Sequence, residues 1–170
     1  MKGKIAALLV LLAGPAVAQQ HQHGTSPYAG FAQREVKALS DQQLSDLRAG
    51  RGMGLALPAE LNGYPGPLHV LELAAQLQLS TDQHRRLKQF YEAMKAEAIS
   101  VGEKLIAQET ALDRSFKERS ITPQRLVELT AWVGATQGEL RAVHLKYHLT
   151  AAEVLTADQK QRYAQLRGYH

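Results

Sequence analysis

His144 and His148 stand four residues apart in the run His144-Leu145-Lys146-Tyr147-His148. On a helix this spacing sets two imidazoles on one face, one turn apart, where they can share a Zn, Ni, Co or Cu ion. The pair falls between a stripe carrying Val143 and Tyr147 and a second apolar stripe carrying Leu145 and Leu149, so it is expected to be partly covered. Packing or surface histidines produce the same spacing, and both readings stay open until a third donor is found. Pairing the two flanking helices about a turn near Ile121 sets the histidines opposite the stretch from Met94 to Gly102. Met94 is then a candidate soft ligand, and Glu97 falls on the far flank. His69 and Glu72, on the preceding helix, or a residue of a second subunit, are the other candidates, although His69 on an apolar helix reads first as a packing residue. His21 and His23 could scavenge soft metals from the start of the chain, or be no more than solvated.

Other chemistry finds no foothold. The chain has no cysteine, so it offers neither a thiolate nucleophile nor disulfides. A Gly-rich phosphate loop, a His-Glu-x-x-His zinc protease motif and a serine in a nucleophile-elbow setting are all absent from the sequence. Gly50-Arg51-Gly52-Met53-Gly54 lacks the strand-to-helix setting of a phosphate cradle and reads as a flexible connection. Pairs such as Glu92 with Lys95 and Glu103 with Lys104 read as solvated faces. The expectation is a protein that is not an enzyme and carries no organic cofactor.

The elements that would position the histidines are helical. Apolar or small residues recur as Leu87, Tyr91, Met94, Ala98, Val101, Leu105 and Leu112, in steps of four and three with Gln108 interrupting. This heptad seam predicts a helix of roughly 35 to 40 residues. Ser120-Ile121-Thr122-Pro123 supplies a break, a capping Thr and a Pro for a first helical turn. A second seam follows through Leu126, Leu129, Val133, Thr136, Leu140, Val143, Tyr147 and Val154. The fold class expected is all-α, a long antiparallel helical hairpin over about 80–154 with shorter flanking helices. These are placed at about Arg34 to Ala49, Leu55 to Leu61, Pro67 to Leu77 and Ala157 to Leu166, with Asn62 to Pro67 as a strong break. Phe90, Ile99, Ile106, Trp132, Leu145 and Leu149 lie off the seam and need a second cover. The shorter helices and a second copy of the chain would supply it, which makes a homodimer the expected assembly.

The first eighteen residues carry Lys2 and Lys4, the apolar run Ile5 to Ala13, Gly14-Pro15 and the small triplet Ala16-Val17-Ala18. That is the pattern of a secretory signal peptide, with residues 19–33 a disordered leader and 34–170 one helical domain. No later stretch approaches the roughly 20 apolar residues of a spanning helix, so no membrane insertion is expected after cleavage. The formal charge of the whole chain is +4, two of its basic residues, Lys2 and Lys4, lie in the expected signal peptide, and the rest alternate with acidic ones. Nucleic acid is therefore not an expected partner.

One local pattern occurs three times: Leu39-Ser40-Asp41-Gln42-Gln43, Leu79-Ser80-Thr81-Asp82-Gln83 and Leu155-Thr156-Ala157-Asp158-Gln159. Each sets Ser or Thr three residues before Gln, the capping box in which Ser40, Ser80 and Thr156 cap while Gln43, Gln83 and Gln159 reach back. With these motifs on an all-helical secreted chain, the sequence resembles the Spy/CpxP family of periplasmic proteins, whose signature is a pair of LTxxQ motifs. It is also similar to the related periplasmic heavy-metal resistance and sensor proteins. Leu155 to Gln159 matches the signature, and Leu79 to Gln83 matches with Ser for Thr, the likeness covering about Gly66 to Gly168. The resemblance implies a cradle-shaped hairpin dimer in the periplasm. It implies one of three roles: a metal-responsive sensor or resistance protein, an ATP-independent chaperone that shields unfolded clients, or an envelope-stress regulator. A structural helical protein whose partner, such as a membrane-bound regulator, holds the specificity also stays open. Residues Gly50 to Pro67 correspond to nothing assignable in the chaperone branch.

Overall fold

The structure, a computed structural model, describes residues 26–169. The segment expected to be a signal peptide and the histidines His21 and His23 lie outside the described residues. Within them the chain is all-helical, with no strand.

Two long helices dominate, and their ends lie where capping chemistry sets them. The Ser80 hydroxyl accepts the Gln83 N–H at 3.2 Å and the Gln83 side chain accepts the Ser80 N–H at 3.0 Å. This box opens helix α4, Thr81–Lys117, which ends just before Arg119 turns to a φ of +54°. Helix α5, Pro123–Val154, starts from Thr122, whose hydroxyl accepts the Arg125 N–H at 3.1 Å, with Pro123 at the first position where no donor is needed. A third box at Thr156 opens α6, Ala157–Arg167, which stops at Gly168 in the left-handed region. Across the long pair Lys104 bridges Glu139 at 2.8 Å and Lys146 bridges Glu97 at 2.6 Å, so early positions of α4 meet late positions of α5.

The buried stripes follow the heptad seams. Met94, Ala98, Val101 and Leu105 on α4 pack with Val133, Leu140, Val143 and Tyr147 on α5, and Leu87 and Leu129 are buried too. Each large side chain so covered contributes roughly 1.5–3 kcal/mol. The seams fail at their ends, where Leu126 is exposed and Leu112 only half-buried.

The shorter elements differ in extent from the periodicity. A 3-10 turn spans Ala29–Gln33, and α1 spans Asp41–Arg48 where a helix from Arg34 was expected. Ser40 explains the late start: its extended backbone and capping box open the helix at Asp41 and leave Arg34 to Leu39 outside it. Helix α2 is only Leu57–Glu60, and α3 is Pro67–Glu72, stopping short of Leu77 because the chain goes into turns that end with Gln78 at a φ of +50°. Val36, Leu39, Leu44 and Leu47 cover Val101, Leu105 and Ile106. The approach is close because position 102 is glycine, where a Cβ would stand 2.8 Å from the Leu47 carbonyl oxygen. At the other end Val70 and Leu77 close over Leu87, Ala151, Val154 and Tyr163. Of the residues left off the seam, Ile106 is buried, while Trp132 and Leu149 stay exposed. No helix among the described residues is long and apolar enough to cross a membrane.

Candidate metal-binding cavity

Between the two clusters the segment from Ala49 to His69 loops out and returns, leaving a cavity of about 390 Å³ against α4 and α5. Its wall includes Gly50 to Gly54, Glu60, Gly66 and His69 from that segment, Tyr91 and Met94 from α4, and His144 and His148 from α5. Four of the five residues singled out as metal donors thus share one cavity. The fifth does not: Glu72 is exposed and lies outside the lining. It sits at the end of α3, a turn beyond His69, and the carboxylate that meets the histidines is Glu60 instead.

His144 and His148 are both buried, at 2% and 8% exposure, far more covered than surface histidines. Burial is the main cause that pushes the His144 pKa below its ordinary value, with the neighbouring His148 adding to it, so the neutral imidazole with a free lone pair is favoured. The Nε2 atom of His144 has no hydrogen-bond partner; Gln108 Oε1 is the other such buried atom among the described residues. Leaving a buried polar atom unpaired costs about 1–3 kcal/mol. His148 is held differently, with Nδ1 2.7 Å from the Tyr64 carbonyl oxygen. A carbonyl only accepts, so Nδ1 donates, and in the neutral ring Nε2 then carries the lone pair. Gly66 lets the ring in, since a Cβ there would meet Cε1 and Nε2 of His148 at 2.7 Å.

Glu60 is the buried hub beside this pair. Its carboxylate accepts from the Tyr163 hydroxyl, from the Tyr169 hydroxyl at 3.1 Å and from the Gly66 N–H at 3.2 Å. His69 Nδ1 lies 3.4 Å away, His148 Nδ1 3.6 Å and Arg167 Nε 3.8 Å. Burial pushes the Glu60 carboxyl up, but the bonds from Tyr163 and Gly66 and the adjacent His69 and His148 outweigh it and hold the pKa below its ordinary value. Burial likewise raises the Tyr163 hydroxyl far above its ordinary value, with the bond to Glu60 adding to the shift. An ionised carboxylate is therefore kept against the histidines and tied to α6. Glu97, by contrast, bonds Lys146 at 2.6 Å and the Tyr147 hydroxyl at 2.6 Å on the flank of the seam.

The donors fit a transition-metal ion in kind: two buried imidazoles, one with an orphaned nitrogen and one oriented by the Tyr64 carbonyl, a thioether, and a buried carboxylate 3.6 Å from His148 Nδ1. Among the described residues no three His, Asp or Glu side chains form a ready ligating cluster, so a third ligand would be Met94 or a group that shifts on binding.

Sequence reasoning passed over Glu60 and took Met53 and the glycine run for a flexible connection. The run is not a slack connection: Gly50 packs on α4, where a Cβ would stand 2.9 Å from the Lys95 carbonyl oxygen, and Gly52 lies against the His144 ring. The signal available was the density of Gly and Pro between positions 50 and 67, which is out of place in a chain otherwise made of helices. All three capping boxes, at Ser40 with Gln43, Ser80 with Gln83 and Thr156 with Gln159, are formed. Comparison with family models, with curated proteins and with solved structures yields no match.

Proposed function

We propose that this chain is a periplasmic metal-responsive sensor or heavy-metal resistance protein of the Spy/CpxP type, secreted through its N-terminal signal segment, and that it binds a transition-metal ion in the cavity between α2, α3 and α5. One observation carries the reading: the buried, unpartnered Nε2 of His144 one turn from His148, whose own ring is oriented through Nδ1. A buried imidazole nitrogen that no protein group pairs suits coordination to a metal ion. His69, Met94 and Glu60 on the same wall add donors within the cavity. A response to the ion has a route outward, because Glu60 joins the histidines to Tyr163, Arg167 and Tyr169 at the chain's end.

The test is calorimetric titration of the purified chain with Zn, Ni, Co and Cu ions, repeated on the double variant His144→Ala, His148→Ala. Binding that the double variant loses is the expected result. Equal binding by both proteins removes the site.

A second reading, an ATP-independent chaperone or envelope-stress modulator working as a hairpin dimer, is favoured by exposed apolar side chains. Leu57, Leu61, Tyr64 and Leu68 stand open on the α2–α3 segment, and Trp132 and Leu149 on α5. Such a surface suits unfolded clients or a second copy of the chain. Suppression of client aggregation that survives chelation and the substitution of His144 would favour this reading over the first.

A further inference from the structure

The chain contains three methionines and no cysteine, so its only sulfur atoms are those of Met1, Met53 and Met94. Two of the three line the same cavity as His144 and His148. Met94 forms part of its floor and is buried, whereas Met53 is 40% exposed and stands at the mouth. Met53 is held there by an uncommon backbone, a φ of +45° in a residue that is not glycine, flanked by Gly50 at +66° and Gly54 at +77°. Residues other than glycine seldom adopt that region unless the surroundings impose it. The loop therefore keeps a thioether on the wall of the cavity that His144 lines, with Gly52 closing against the Nδ1 and Cε1 edge of the His144 ring.

Resting on the metal-binding reading above, we propose that the cavity selects a soft monovalent ion, Cu(I) or its analogue Ag(I), through the thioethers of Met53 and Met94 together with the Nε2 atoms of His144 and His148. Thioethers are poor ligands for Zn(II), Ni(II) and Co(II) and good ones for Cu(I). Cu(I) is also satisfied by few neutral donors and so asks for no anionic cage, and the cavity sets neutral imidazole and thioether groups together. The carboxylate of Glu60 is already engaged by Tyr163, Tyr169 and the Gly66 N–H, and stands beside the His148 ring that the Tyr64 carbonyl orients.

The experiment is competition for Cu(I) against a chromophoric chelator under reducing, oxygen-free conditions, with Ag(I) as a redox-inert check and Zn(II) in parallel. The proteins are the unaltered chain, Met53→Leu, Met94→Leu and His144→Gln. Leucine keeps the volume and the unbranched Cβ, and circular dichroism verifies that each variant is folded. Each Met variant should lose Cu(I) and Ag(I) affinity by roughly tenfold or more, with Zn(II) affinity unchanged. X-ray absorption of the Cu(I)-loaded unaltered chain should show sulfur neighbours, a readout that needs no variant. A nitrogen-and-oxygen shell, or Met variants with undiminished Cu(I) affinity, overturns the selectivity while metal binding at the histidines stands. Absence of all metal binding by the unaltered chain overturns both.

Discussion

The side-chain amides of Gln83 and Gln159 face each other and exchange two hydrogen bonds, Nε2 of Gln83 to Oε1 of Gln159 at 2.8 Å and the reverse at 3.0 Å. Each oxygen also accepts the backbone N–H of its own cap, Ser80 or Thr156. Each nitrogen also donates to a carbonyl at the end of another segment, Gln83 to Val154 at 2.9 Å and Gln159 to Leu77 at 3.2 Å. Two capping boxes that are far apart in sequence are thereby fused into one joint at which α4, the end of α5, the start of α6 and the chain before α4 meet.

This joint should show strong coupling. Gln83→Ala and Gln159→Ala each strand half-buried donors and acceptors, and each should cost about 1–3 kcal/mol in denaturant unfolding. The double variant should cost less than the two together, with an interaction energy of about 0.5–3 kcal/mol. Simple additivity would show that the two boxes act as independent caps.

The glycine beside His148 should be far less replaceable than one in an open stretch of α5. Gly66→Ala puts a Cβ 2.7 Å from the imidazole, whereas Gly134→Ala meets nothing within 4 Å. The first should destabilise by about 1–3 kcal/mol through overpacking, and weaken metal binding by displacing the ring. The second should stabilise by about 0.5–1 kcal/mol, since Ala exceeds Gly in helix propensity. Melting temperatures that move in the same direction would contradict the packing at Gly66.

Glu109 should be a liability at neutral pH. It is buried on α4 at 8% exposure, and burial pushes its carboxyl above the ordinary value of 4.5. The folded chain therefore holds this proton more tightly than the unfolded chain does, so stability is fully present below pH 4.5 and declines as the pH rises through the raised value. Glu109→Gln, which keeps the shape without the charge, should melt higher than the unaltered chain at pH 7, and the two should converge below pH 4.5. A lower melting temperature for the variant at pH 7 would mean that the ionised carboxylate has a stabilising partner.

What the sequence determined by itself was whatever depends on neighbours three or four residues away. The capping residues at Ser80, Thr122 and Thr156, the two heptad seams and the facing of His144 and His148 on one turn all follow from helical periodicity and local hydrogen bonds. Tertiary structure decided the rest. Glu60 reaches Tyr163 across 103 residues and His148 Nδ1 reaches the Tyr64 carbonyl across 84, and no local pattern carries such pairings. The short α2 and α3 lie within a Gly- and Pro-rich segment whose path is set by what it packs against: Gly50 on Lys95, Gly52 on His144 and Gly66 on His148. That is why Glu72 was a candidate from the sequence while Glu60 went unnoticed, and why Met53 passed for part of a slack loop. The histidines could be found by their spacing, but the cavity that makes them a site exists only once the loop has closed over them.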